Sequence, residues 1–143
     1  VDTPYGRVAL AICFDLDFPH LLRRAAGADL LLVAAEDWPG ISPYHGDMAR
    51  LRAIEGGFGV VRAARDGRSL VADPQGRLLA TADHAALVGH TDGRLLSRAP
   101  MRGRSTIYAR WGDVLGWLSL AALGLLFGTA LARRRLAFTN EQQ

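Results

Sequence analysis

The sequence predicts an α/β fold followed by one transmembrane helix, and three observations predict it. Two short, continuously apolar runs, residues 7–13 and 29–35, flank a helix-like stretch, the pattern of a strand–helix–strand unit. Turn signals at Arg65-Asp66-Gly67-Arg68 and Asp73-Pro74-Gln75-Gly76 then mark antiparallel hairpins. Near the C-terminus, residues 114–132 read VLGWLSLAALGLLFGTALA, with no charge and no proline.

Taken in order, Thr3-Pro4-Tyr5-Gly6 is a turn, and residues 7–13 form a strand expected to be buried on both faces. Phe14-Asp15-Leu16-Asp17-Phe18-Pro19 leads into a helix over residues 20–26, with Asp17 as its cap, Pro19 in its first turn and Gly27 as its stop. Residues 29–35 are the second strand, and a right-handed crossover makes it parallel to the first. Residues 36–44 are a loop rich in Pro and Gly, and residues 47–55 a second helix stopped by Gly56 and Gly57. Strands follow over residues 58–64, 69–72, 77–81 and 86–90, then an irregular stretch to Met101. A half-sheet of this size leaves an edge and an apolar face open, which leads one to expect further polypeptide upstream.

As a helix, the apolar segment spans about 28 Å, enough to cross a bilayer. Tyr108, Trp111 and Trp117 cluster at its first end, where amphipathic rings favour the headgroup layer. Arg133, Arg134 and Arg135 close the other end. The positive-inside rule keeps that triplet cytoplasmic and places residues 1–113 on the opposite side, periplasmic or extracellular. Gly124 and Gly128 form a GxxxG pair, which either admits a second helix or reflects the glycine content usual in membrane helices.

Composition excludes several classes. The chain has 143 residues, 50% hydrophobic and 22% charged, which is not the make-up of a disordered tail. One cysteine excludes an intramolecular disulfide framework and any multi-cysteine metal site. Residues 1–113 hold 14 Arg against 13 acids, while residues 114–143 hold three Arg and one Glu. Most of the excess charge therefore flanks the apolar segment, and no basic stripe interleaved with aromatics suggests nucleic-acid binding. All 17 basic residues are Arg, so lysine-dependent chemistry is closed to this chain by itself.

Cys13 ends a strand before a tight turn, where a side chain projects from the C-terminal edge of a sheet and backbone N–H groups can face an oxyanion. A following helix N-terminus would also favour thiolate. Position alone favours a small buried hydrophobe. The surrounding residues decide between the two. Thr3-Pro4-x-Gly6 followed by Ala11-Ile12-Cys13-Phe14-Asp15-x-x-Phe18-Pro19 resembles the nucleophile segment of the carbon–nitrogen hydrolase (nitrilase) superfamily. The resemblance continues through Trp38-Pro39-Gly40, His45, residues 48–55, Val61-Arg62, the Gly67 turn and Asp73-Pro74-x-Gly76. Tyr108-Ala109-Arg110-Trp111-Gly112-Asp113 ahead of a membrane helix is similar to the apolipoprotein N-acyltransferase branch.

That resemblance implies the C-terminal part of a nitrilase-like α-β-β-α sandwich in residues 1–100, a linker over 101–113, the membrane helix at 114–132 and a cytoplasmic tail at 133–143. It implies a Glu–Lys–Cys triad in which Glu is the general base, Lys stabilises the oxyanion and Cys carries an acyl thioester. The acyl donor would be a phospholipid and the acceptor the amine of a diacylglyceryl-cysteine apolipoprotein, at the bacterial inner membrane. Cys13 would be the nucleophile and the Phe14 backbone N–H an oxyanion donor. Asp15 would be a supporting acid, and Trp38 a substrate-binding aromatic unless it only packs. No cofactor or metal is implied.

The chain departs from the family pattern at Phe14, more often Tyr, at Asp15, more often Glu, at Ala35-Glu36-Asp37, and at Arg65-Asp66-Gly67. Glu36 and Glu55 follow the cysteine, whereas the family's triad Glu precedes it, so Glu and Lys are expected from upstream polypeptide and this chain alone is expected to be inactive. A Cys13/His45 dyad is the weaker reading beside a cap or loop contact for His45. His20, His84 and His90 lack ligand spacing. Arg52 is placed to pair with Glu55 three residues on. The competing readings are a membrane-anchored amide or nitrile hydrolase and a non-catalytic membrane-tethered interaction domain.

Overall fold

The computed structural model describes residues 1–38, 40–83 and 94–140, without the side chains of 132 and 134–140. The strand expected over 86–90, with His84 and His90, lies outside the described residues, as does Pro39. Two compact units divide the chain, one from Val1 to Arg110 and one from Trp111 to Gln143.

In the first unit, six strands of the described residues form one sheet in sequence order. They are β1 (Asp2–Thr3), β2 (Gly6–Ile12), β3 (Leu30–Glu36), β4 (Gly59–Arg65), β5 (Arg68–Ala72) and β6 (Leu78–Asp83). The core β2–β3–β4 is parallel, and β1, β5 and β6 add antiparallel edges through tight turns. Helices α1 (Pro19–Leu22) and α2 (Ser42–Gly56) lie in the two parallel crossovers.

Register sorts the side chains by face, because residues directly opposite across a ladder point the same way. The rows Ala9–Leu31–Val60–Ala72 and Ala11–Val33–Arg62–Leu70 run across the strands beneath α2. Leu31, Val60, Leu70, Ala72, Ala49, Ala53 and Phe58 make the dry core there. Leu10, Leu32 and Val61 point to the opposite face, as do Ile12 and Ala34. Leu10 is 70% exposed and Ile12 69%. The expectation that the first strand is buried on both faces is therefore corrected: only one face of β2 is covered here, and the open apolar face expected of a half-sheet is present.

Several boundaries move for identifiable reasons. Residues 20–26 are not one helix: α1 has a single turn and continues as a 3₁₀ turn, Arg23–Ala25. Asp17 does not cap α1, because a 3₁₀ turn over Cys13–Asp17 intervenes and Phe18 takes the cap position. The second helix begins at Ser42, not at 47, with Pro43 in its first turn where no N–H partner is needed. It ends as expected at Gly57, whose φ of +71° places it in the left-handed region. Asp29 lies just outside β3, and its carboxylate accepts the backbone N–H groups of Arg7 (2.8 Å) and Gly103 (2.7 Å).

A short helix α3 (Ile107–Trp111) forms in the stretch read as linker, and the second unit is dominated by helix α4 (Val114–Asn140). Its residues Val114–Leu131 have a mean hydropathy of 2.0 and none of that window is buried, so the helix is long and apolar enough to cross a membrane. Its hydroxyls turn inward on the helix itself: Ser119 Oγ donates to the Leu115 carbonyl (2.8 Å) and Thr129 Oγ1 to that of Leu126 (2.9 Å). Such internal bonding spares polar groups from apolar surroundings. The helix does not stop at the arginine triplet but runs through it.

Candidate active site around Cys13

Parallel α/β sheets place binding groups at the carboxyl ends of their strands, where loops leave the sheet. Here the ends of β2, β3 and β4 bring together Cys13, Asp37-Trp38 and the Arg65–Arg68 hairpin. Cys13 leaves the β2 ladder abruptly, with a φ of +47°, a region that non-glycine residues rarely adopt. Its thiol is partly exposed, and Sγ lies 3.7 Å from the Glu36 backbone oxygen at the end of β3.

The turn after Cys13 is held from inside and outside. Asp15 Oδ2 accepts the Ile12 N–H at 2.8 Å, closing the start of the 3₁₀ turn. The thiol therefore heads a 3₁₀ turn rather than an α-helix, and the dipole expected of a helix N-terminus is not supplied by α1, which starts six residues later. Leu16 is buried in the core, and its carbonyl accepts from Arg52 Nε of α2 at 2.6 Å. Arg52 also pairs with Glu55, so it ties its own helix to the cysteine turn.

Phe14 and Trp38 form the exposed wall beside the thiol. Their rings stack with centroids 6.0 Å apart, and both are about half exposed. Beneath them sits His45, edge-on to Phe14 at 5.1 Å and to Trp38 at 6.1 Å.

His45 opens a buried polar network. Its Nδ1 lies 3.2 Å from Asp37 Oδ1, and its Nε2 lies 3.5 Å from Asp17 Oδ2. Asp37 Oδ1 also accepts from Arg62 Nη2 at 2.6 Å, and Arg62 Nη1 donates to the Arg68 carbonyl at 2.7 Å. Arg62 is 2% exposed, Asp37 5% and His45 5%. A burial this complete demands pairing: Arg62 and Asp37 pair with each other, while Asp37 Oδ2 and Arg62 Nε have no hydrogen-bond partner among the described residues. Gly67 completes the enclosure: a Cβ there would collide with the Asp37 carboxylate, so only glycine lets the hairpin close over it.

Both ring nitrogens of His45 thus face carboxylates, which leaves neither for a Cys13/His45 dyad. Among the described residues, no group of three or more His, Cys, Asp or Glu is arranged to hold a metal ion. Sequence reasoning brought Cys13, Phe14, Asp15 and Trp38 to one place but missed the network below them. A usable signal was Arg62, a charge inside the apolar run of β4.

The sequence pattern of the carbon–nitrogen hydrolase family covers residues 1–109. The chain belongs to the carbon–nitrogen hydrolase family. Among curated relatives, the apolipoprotein N-acyltransferase of Gloeobacter violaceus is 41% identical over 94% of the chain, and the chain covers 26% of that protein. The chain spans about a quarter of the length of the curated relatives it matches. Among solved structures, a Saccharomyces cerevisiae member of branch 10 of the nitrilase superfamily superposes with a TM-score of 0.55 at 29% identity, over 59% of this chain and 36% of that one. An amidase from Nesterenkonia sp. superposes at 0.50 with 30% identity, over 54% of this chain and 34% of that one, and its active-site cysteine carries a covalently added acetamide moiety. The mixed sheet thus resembles part of the nitrilase fold.

Proposed function

We propose that Cys13 is the nucleophile of an acyltransferase that moves a fatty acyl chain from a phospholipid to the N-terminal amine of a diacylglyceryl-cysteine apolipoprotein. The observation that carries this reading is the placement of Cys13: partly exposed, in the left-handed region, at the carboxyl edge of the parallel strands. The similarity to apolipoprotein N-acyltransferases, which names the acyltransferase branch, supports it.

In the first half-reaction the Cys13 sulfur attacks the ester carbonyl. The S–C bond forms, the C–O ester bond breaks, and the lysophospholipid alcohol leaves with the proton taken from the thiol by a general base. In the second, the apolipoprotein amine attacks the thioester, the C–N bond forms, and the thiol is regenerated as the C–S bond breaks. Two negative oxyanions arise on the way. The Phe14 backbone N–H is assigned as one donor to them, where preorganised donors are worth most. Asp15 holds the turn that aims this N–H, and Trp38 with Phe14 offers an apolar wall to the acyl chain or headgroup.

The triad's Glu and Lys come, in this reading, from polypeptide outside this chain, which contains no Lys. Residues 1–100 are the catalytic portion, 101–113 a linker, 114–132 a membrane span and 133–143 a cytoplasmic tail. The span would confine the enzyme to the inner membrane with its lipid and lipoprotein substrates, raising their effective concentration. The exposed apolar surface of Val114–Leu131 supports that placement.

The test uses the full-length enzyme with phospholipid. A hydroxylamine-labile acyl adduct on Cys13 is expected, chased onto a lipoprotein amine, and absent from Cys13→Ala. An adduct that survives in Cys13→Ala refutes the nucleophile assignment, and one released only to water identifies a hydrolase instead.

A further inference from the structure

The cysteine turn has no covalent reason to keep its shape. Cys13 sits at a φ of +47°, a strained position that persists only where surroundings over-determine it. The 3₁₀ turn is five residues long, and the helix after it has one turn. Its inner side is fixed by Leu16, through burial and the Arg52 bond to its carbonyl. Asp15 closes the start of the turn, and a further group meets its outer part at Phe14 and Asp17.

That group is His45. It is the residue that touches three separate pieces of the site at once. Its Nε2 faces Asp17, the last residue of the turn. Its Nδ1 faces Asp37, which Arg62 anchors to the sheet. Its ring edge meets both Phe14 and Trp38. His45 stands one helical face above Ala49 and Arg52, so α2 presses a continuous buried strip against the cysteine turn.

We propose that His45 is a positioning residue for the acyl-transfer reaction: it locks the Asp17 end of the turn and the Phe14 ring to the Asp37–Arg62 anchor, which fixes the Phe14 N–H relative to the Cys13 sulfur. It neither takes the thiol proton nor touches substrate. The inference rests on Cys13 being the nucleophile. Its physical content is that oxyanion donors act only within a few tenths of an ångström of their aim, and a displacement near 1 Å costs on the order of a hundredfold in rate. The groups facing the imidazole from every packed element are Asp17 on the cysteine turn, Asp37 at the end of β3 and, through Asp37, Arg62 on β4.

The experiment measures single-turnover acylation of Cys13 by phospholipid in the full-length enzyme, reading the maximal rate and the half-saturating lipid concentration separately. His45→Phe keeps a ring against Phe14 and Trp38 but loses both carboxylate contacts. Its maximal rate should fall about tenfold or more, with half-saturation within about twofold of the parent. Phe58→Leu, a core change at the far end of the sheet, serves as the stability control and should acylate at the parent rate even when its thermal loss matches that of His45→Phe. If His45→Phe does not fold, Asp17→Asn, at the partly exposed end of the same contact, should lower the rate several-fold without a thermal shift. A His45→Phe rate within twofold of the parent, a loss no larger than that of Phe58→Leu, or a change in half-saturation alone overturns the proposal. Cys13→Ala in the same assay separates the two claims, because an adduct that persists there removes the nucleophile reading itself.

Discussion

Arg62→Met removes the charge at the bottom of the site while keeping a long apolar side chain. Arg62 is 2% exposed and supplies two hydrogen bonds, at 2.6 Å to Asp37 and 2.7 Å to the Arg68 carbonyl. Without it the Asp37 carboxylate stays enclosed, with His45 Nδ1 at 3.2 Å as its remaining side-chain partner. Breaking one side of a buried pair costs about 3–5 kcal/mol, because the surviving charge is left uncompensated. At roughly 2–4 °C per kcal/mol for a domain of some 150–250 residues, the unfolding midpoint should drop by about 6–20 °C. The assay is thermal unfolding of the full-length protein in detergent, paired with the double variant Arg62→Met/Asp37→Asn. Neutralising the carboxylate removes the orphaned charge, so the double variant should recover at least about 2 kcal/mol of the loss. An Arg62→Met cost below about 1 kcal/mol, or losses that simply add in the double variant, would refute the reasoning that these two ions are coupled.

Gly67→Ala should destabilise by about 1–3 kcal/mol and slow acylation with it, since the new Cβ displaces the Asp37 carboxylate; unchanged melting would show that the hairpin can shift away. Arg52→Ala should cost about 2–3 kcal/mol by leaving the buried Leu16 carbonyl and Glu55 without their partner, and loosened proteolytic protection of the cysteine turn would report it. Acid should weaken the fold through Asp73. Burial pushes this carboxyl up, but hydrogen bonds from the Arg77 N–H, the Arg77 guanidinium and the Gln75 N–H outweigh it and hold it below the usual carboxylate value. Its stabilisation is therefore complete above the unfolded value of about 3.9 and is lost as pH falls below that. The unfolding midpoint of the parent should fall more steeply than that of Asp73→Asn between about pH 4 and pH 2, and parallel curves would contradict this.

Much of this chain is legible locally. The apolar runs that became β2, β3 and β4, the turns at Gly67 and Gly76, the left-handed stop at Gly57 and the 114–131 apolar helix each depend on a few adjacent residues, and local sequence states them. The same holds for the fold class and for the family, whose resemblance is carried by Cys13 with its neighbours Phe14, Asp15 and Pro19. The short α1 and the role of Asp17 were not legible, because both depend on the 3₁₀ turn over Cys13–Asp17 and what packs against it rather than on propensity.

Tertiary structure alone decided the polar network. Asp37 and Arg62 are 25 residues apart and His45 and Asp37 eight apart, and no spacing in the sequence makes them neighbours. Sheet register did so: the in-line pairing of β3 and β4 placed Arg62 in the row with Ala11, Val33 and Leu70, on the face that α2 covers. A charge in that row must find a counter-charge or unfold the site, and the ends of the neighbouring strands are where one could be supplied. Side-chain period and turn chemistry are short-range and can be read along the chain, whereas burial and charge pairing are properties of the assembled layers.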